Sequence, residues 1–503
     1  MAAIILFGLA TLVSRSASQY TLTPEVNATP GASKRIDQSF PSFAIQVSSF
    51  PAFTGNASHP NIFSRNLIQS IEERTGAPLV VRVGGTNGDY SNYNPQQTTA
   101  VEPPMQGDGI GQKYVLGPVF YEGFRNWPNT QWVYDIPFAK ENHTDSLYQA
   151  QHAISNIGET YLSGLEIGNE VDLYVQQGSR PAGYGPANYS VDFLQYADFL
   201  TQALSLPEKP LFQVLTLASD AAAPWSAEAA FEAGITKDNN VKSVSLHHYE
   251  STNTSTTLQD TLMNHAFMKA GVDDSFSSDF AYMQRNYPDV AIVLGEVGRF
   301  SDTQSSIDDS EGIFGSALWT ADYLLYTMSL NVTRVNMQLS KAFGYVAWHP
   351  VAYEDLEPEV RAPYYGHLFA SEFIGGSDSF RVSEISLDDD LVAGYAGYEN
   401  DLLKRVALIN YNVWTEGNGS RPNSTFTLKL PDDVKSVTIE TLTSPGGATA
   451  NHTFYWAGQT WTFDSNGLGE NVPQIDANTT LSVQGGSVQV EVGASEAVLV
   501  QLV

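Results

Sequence analysis

An α/β chain, built as a (β/α)₈ barrel followed by an antiparallel β-sandwich, is what this sequence predicts. Three observations carry that expectation. Eight apolar, β-branched runs bounded by turn residues recur between about residues 40 and 350, helical periodicities lie between them, and from about residue 376 the helical period gives way to short strands with Gly, Asn and Asp turns. At 503 residues the chain exceeds the usual size of one core, so a large domain with a smaller companion is the natural division.

The strands are taken in order as "SFAIQVSS" from Ser42, "LVVRVGG" from Leu79, "QWVYDIPF" from Gln131, "YLSGLEIGNE" from Tyr161, "LFQVLTLAS" from Leu211, "VKSVSLHHYE" from Val241, "VAIVLGEVG" from Val290 and "TRVNMQLS" from Thr333. Helices fall where a crossover is needed: one ends at Gly76, one at Gly158, one begins at Ser190 and one ends near Leu330, with Thr144 and Ser190 read as N-caps and both glycines as left-handed C-caps. The domains follow: a signal peptide over 1–18, an N-terminal strand within 19–37 that joins the sandwich, the catalytic barrel over 38–375 and the β-sandwich over 376–503.

"MAAIILFGLATLVSRSAS" supplies an apolar run too short to span a bilayer, followed by small residues suited to cleavage, although its first residues carry no Lys or Arg. Sequons at Asn27, Asn56, Asn142, Asn188, Asn253, Asn331, Asn418, Asn423, Asn451 and Asn478 agree with a secreted, extracellular glycoprotein. The absence of cysteine removes disulfides, thiol nucleophiles and thiolate metal sites. With 25 Lys+Arg against 55 Asp+Glu the net charge is −30, which disfavours nucleic acid and long sulfated polysaccharides as partners. No membrane partner is expected, and a monomer is.

Barrel sites lie at the C-terminal ends of the strands. Strand two ends in Gly84-Gly85-Thr86 with Asp89 behind, strand four in Asn169-Glu170, strand six in His247-His248-Tyr249-Glu250 and strand seven in Gly295-Glu296. Two carboxylates on different strands are what glycoside hydrolysis needs, one protonated to assist the leaving oxygen and one ionised to attack the anomeric carbon. A single strand-end Glu is more often a solvated loop residue. Several such polar ends in this order make coincidence a poor explanation.

"FPSFAIQVSSFPAFTGN", "PNIFSRNLIQSI", "VVRVGGTNGDY", "LEIGNEVDLY", "VLGEVG" and "PYYGHLF", spread over nearly the whole chain, resemble the fungal secreted branch of glycoside hydrolase family 79, the β-glucuronidase and heparanase-like family. The resemblance implies that Glu170 is the general acid/base, that Glu296 is the nucleophile of a retaining reaction and that no cofactor or metal is needed. By the same resemblance Asn169 bonds the sugar 2-hydroxyl, Tyr249 orients the nucleophile, His248 lines the floor or holds the acid, and Thr86 and Asp89 belong to a sugar-binding loop. Tyr345 is the expected contact for the uronate carboxylate, with Arg299 and Lys341 as further candidates and Trp348 as a stacking wall. Gln46 stands where relatives often carry Glu, which touches specificity. The expected activity is exo-acting release of terminal glucuronic acid, or its 4-O-methyl form, from glycans. An endo-acting, heparanase-like enzyme and a non-catalytic carbohydrate-binding protein are the alternatives.

In an extended strand Glu166, Gly168 and Glu170 would share one face. Glu166 would then lie deeper than Glu170, where an unpaired carboxylate is costly, and Arg82 is the cation expected to pair with it.

Overall fold

The computed structural model describes residues 18–104, 114–207, 209–218, 224–252, 257–301 and 312–503. Most of the expected signal peptide and the sequon at Asn253 lie outside the described residues.

Eight parallel strands close into a barrel in chain order: β1 (Pro41–Gln46), β2 (Val80–Gly84), β3 (Gln131–Ile136), β4 (Leu162–Ile167), β5 (Phe212–Leu217), β6 (Val241–Thr252), β7 (Ala291–Ser301) and β8 (Arg334–Leu339), with β8 returning to pair with β1. The helices of six or more residues between or after them, among the described residues, are α1 (Ile62–Thr75), α2 (His143–Ile157), α3 (Pro186–Leu204), α4 (Ala227–Glu232), α5 (His265–Asn286), α6 (Gly315–Ser329) and α7 (Ala362–Ile374). Strands β2, β3 and β5 are buried at nearly every position, because a parallel barrel covers both faces; their sequences therefore read as continuous apolar runs rather than alternations.

The caps show where local chemistry was misread. Asn61 opens α1 by accepting from the Ser64 amide at 3.0 Å, and Gly76 closes it at φ 72°. Helix α2 is capped by Asn142, two residues before Thr144, and α3 begins at Pro186, so Ser190 is an interior residue whose hydroxyl donates to the Pro186 carbonyl. Pro at the first helical position, not the later Ser, was the stronger start signal. Helix α5 was not expected; Gly271 and the Ser-Phe-Ser-Ser stretch dilute its apolar stripe.

Helix α7 ends in Gly375 and Gly376, both with positive φ, and the first strand of the second domain begins at Arg381. That domain is a nine-stranded sheet facing a three-stranded one. Gln19–Leu22 lies parallel to Asn423–Lys429 in the smaller sheet, so the N-terminal segment completes the sandwich. The larger sheet is apolar on both faces. Along Leu402–Asn410, Val406 and Leu408 pack inside the sandwich while Ala407 and Ile409 join the barrel's core; along Glu496–Leu502, Val498 and Val500 do the first and Ala497 and Leu499 the second. The sheet is thus a middle layer, which explains runs such as "VALI" and "AVLV" where a free-standing sandwich would alternate.

Candidate active site

The C-terminal rim is shaped by sharp backbone turns. Strand β4 stops at Ile167, and the chain turns at once: Gly168 has φ 81°, and a Cβ there would meet the Tyr174 hydroxyl at 2.4 Å. Glu170 itself is left-handed (φ 50°, ψ 52°), its amide donating to the Thr216 carbonyl at 2.7 Å. A non-glycine residue held this way is costly and is maintained only where the surroundings fix it. Glu166 is the one member of the expected 166/168/170 face that lies in β4; the turn, not strand alternation, brings Glu170 to the rim.

Arg82 on β2, fully buried, organises the centre. Its Nε donates to Glu166 Oε1 at 2.7 Å, its Nη2 to the same oxygen and, at 2.8 Å, to Asn169 Oδ1, while its Nη1 bonds Glu296 Oε1. The expected Arg82–Glu166 pair is therefore present, and the same guanidinium touches Glu296 directly. Tyr249 donates to the other oxygen, Glu296 Oε2, at 2.6 Å. Burial acts to neutralise Glu296, but the neighbouring His247, Arg82 and the Tyr249 hydrogen bond outweigh it and hold the carboxyl below its ordinary value, ionised at neutral pH.

Glu170 is less enclosed, its side chain 17% exposed against 6% for Glu296. Thr86 donates to Glu170 Oε2 at 3.4 Å and accepts from Asn169 Nδ2 at 3.3 Å. His247 stands between the acids, its Nδ1 3.4 Å from Glu170 and 4.0 Å from Glu296. One ligating atom from each of Glu170, His247 and Glu296 lies within 4.8 Å of the others. Such a trio could in principle hold a cation, but Arg82 and Tyr249 already occupy both oxygens of Glu296, and the guanidinium repels a second positive charge. Gly85 (φ 94°) passes so close that a Cβ would lie 3.3 Å from Glu296 Oε1.

Gln46 sits beside Gly85 at the rim, accepting from Ser48 and Ser340. Tyr345 is half-buried, its ring 6.2 Å from that of Tyr249 and stacked on Phe343. The structure thus brings Glu170, Glu296, Asn169, Thr86, Tyr249, Gln46 and Tyr345 to one end of the barrel.

It does not bring His248, Asp89 or Trp348 there. Adjacent strand residues point to opposite faces, so His248 cannot face inward with Tyr249; it packs outward, its Nδ1 2.9 Å from the Tyr323 hydroxyl on α6. His247 shares Tyr249's face, and that alternation was the signal which could have found it. Asp89 is fully buried and accepts from the Phe138, Ala139 and Asn169 amides and from the Tyr174 hydroxyl, so it braces the rim from below and offers the sugar nothing. Trp348 is buried against Phe43, Phe53 and Tyr364 and donates to Ser64. Arg299 lies on the outer side opposite Glu250, which also accepts from Trp319 of α6. Lys341 covers the ring of Tyr353.

Asp135, on β3 in register with Glu166, went unread. It is fully buried, and among the described residues neither of its oxygens has a hydrogen-bond partner. Burial, then repulsion from Glu166 and Asp89, pushes its carboxyl well above the usual range, the opposite direction to Glu296.

Residues 394–499 match the glycosyl hydrolase family 79 C-terminal beta domain. The chain is 29% identical over 500 residues to a β-glucuronidase of Aspergillus niger, covering 92% of this chain and 90% of that one. It is 28% identical over 446 residues to a β-glucuronidase of Neurospora crassa, covering 79% of each. Among solved structures, a 4-O-α-L-rhamnosyl-β-D-glucuronidase from Fusarium oxysporum superposes with a TM-score of 0.79 at 21% identity, over 96% of this chain and 100% of that one. A family 51 α-L-arabinofuranosidase from Bifidobacterium longum gives 0.61 at 13% identity, over 96% and 99%. These two likenesses show a shared fold.

Proposed function

We propose that the chain is a member of glycoside hydrolase family 79 and an exo-acting β-glucuronidase, removing terminal glucuronic acid or its 4-O-methyl form from glycans with retention of configuration, a reading supported by the match of residues 394–499 and by the likeness to two fungal β-glucuronidases. The observation that carries the retaining reading is the convergence of Glu170, His247 and Glu296 within 4.8 Å. Retaining enzymes hold their carboxyls about 5 Å apart, whereas inverting ones leave about 6.5 to 9.5 Å for a water.

Glu296, ionised and aimed by Arg82 and Tyr249, attacks the anomeric carbon. Glu170, more open to the rim, gives its proton to the departing glycosidic oxygen and later takes one from the water that releases the sugar. His247 stands next to both, its Nδ1 3.4 Å from Glu170 and 4.0 Å from Glu296. Secretion belongs to the same proposal and rests on the N-terminal apolar run and the sequons.

The experiment uses a nitrophenyl β-glucuronide and a glucuronide with a poor leaving group. Glu296→Gln is expected to lower turnover of both by at least about a thousandfold. Glu170→Ala is expected to spare the nitrophenyl substrate in the glycosylation step and to respond to azide with a glycosyl azide of retained configuration. Equal loss on both substrates without azide rescue would remove Glu170 from the acid/base role. Analysis of products from a glucuronidated polysaccharide, monosaccharide against oligosaccharide, tests exo-action.

A further inference from the structure

The opposite mouth of the barrel holds a cavity of about 360 Å³ among the first residues of the strands and the segments leading into them. Asp37, Ser39, Ser163, Lys242, Ser243 and Arg334 line it. Arg334 opens β8 and is 7% exposed, yet no carboxylate among the described residues stands within ion-pairing distance of it, and its Nε is buried without a hydrogen-bond acceptor. The acids nearest in effect have other partners: Oδ1 of Asp37, which lines the same cavity, accepts from the amide and hydroxyl of Ser39, and Glu166 accepts from Arg82 and Gln213. Burial without a close counter-charge lowers the guanidinium to about 10, only partly offset by Asp37 and Glu166. Lys242 stands at the exposed lip and donates to the carbonyl and hydroxyl of Ser163. Partial enclosure, then the charges of Arg334 and Lys209, lower its ammonium too, so positive charges crowd this mouth in a chain of net charge −30.

A nearly buried guanidinium with no carboxylate at ion-pairing distance among the described residues is an expensive arrangement unless something complementary enters. We propose that the N-terminal mouth of the barrel is a binding site for a small oxyanion, held by Arg334 and Lys242 with the Ser163 hydroxyl, which accepts from Lys242 and keeps its own proton to donate. The planar fork of Arg334 suits two oxygens of one anion and Lys242 supplies a point charge beside it, chemistry shared by phosphate and by carboxylates. The site stands apart from the sugar-cleaving rim, so it holds whether or not the proposed activity does.

The test is calorimetric titration of the whole glycosylated protein with inorganic phosphate and, separately, with acetate, at ionic strength held constant with chloride. Saturable binding at one site is expected, and the tighter of the two anions identifies the class. Arg334→Gln should weaken that binding at least about tenfold, and Lys242→Gln, at the exposed lip where folding is least at risk, should weaken it by a smaller factor. Both variants should keep the parent rate on a nitrophenyl glycoside. No saturable heat with either anion, unchanged binding in both variants, or phosphate acting purely as a competitive inhibitor of glycoside cleavage would overturn the proposal.

Discussion

Two buried polar clusters divide this molecule, and they are built to opposite rules. Where α5 and α6 meet the sandwich, Asp322 accepts from Tyr395 at 2.5 Å, from Tyr411 at 2.9 Å and lies 2.8 Å from His265 Nδ1; His265 Nε2 is 3.2 Å from Glu384, which also takes Lys269 at 2.6 Å. Two cations face two carboxylates there, and each carboxylate oxygen has a partner. At the barrel's C-terminal rim a single guanidinium serves Glu166 and Glu296 together, while the carboxyl of Asp135 beside them is driven toward its neutral form and has no hydrogen-bond partner among the described residues. A fully satisfied network fixes two domains in one arrangement; an undersupplied one holds Glu296 charged at the expense of local stability.

Breaking the catalytic cluster should have the largest effect. Arg82→Met strands two buried carboxylates, so a loss of about 3 to 5 kcal/mol in urea unfolding is expected, together with at least a hundredfold fall in kcat on nitrophenyl glucuronide. Stability close to the parent would mean that the carboxylates are better solvated than their burial indicates. Asp322→Asn at the interface should cost about 3 kcal/mol while leaving kcat at the parent value, separating the two clusters by function. A matching fall in kcat would show that the interface feeds the site.

His265 sharpens the contrast through pH. Burial opposes its charge, but Asp322 and Glu384 prevail and raise the imidazolium to about 10 from an ordinary 6.5. A raised cationic group stabilises fully below its unfolded value, so this contribution should be intact at pH 6 and decline as pH climbs from about 6.5 to 10. Unfolding free energies of the parent and of His265→Asn should therefore converge across that window; a constant gap would contradict the charged-imidazolium reading. The smallest change should come from Asp135→Asn. Replacing an already neutral carboxyl with a near-isostere should move stability by less than about 1 kcal/mol, and a larger loss would mean that Asp135 is ionised.

The barrel was legible because burial on both faces leaves its strands as β-branched runs, and the Arg82–Glu166 pair because a deep acid needs a cation. The strand-end glutamates were legible as chemistry, though not the left-handed turn that presents Glu170. What stayed hidden depends on neighbours distant in sequence. Asp89 looks like a turn residue until the Phe138, Ala139 and Asn169 amides are found pointing at it. That the oxygens of Asp135 and the Nε of Arg334 find no partner among the described residues is invisible until the chain closes around them. The choice of His248 over His247 was a readable error, since counting by twos from Tyr249 gives the inward histidine.

The middle sheet, greasy on both sides, has a further consequence. A protease or a gene fusion that severed the chain near Gly375 would leave two fragments, each wearing a raw hydrophobic wound where Ala407, Ile409, Ala497 and Leu499 had met the helices. Neither piece could be expressed as a soluble cassette, and the barrel and its companion are bound to be inherited and degraded together.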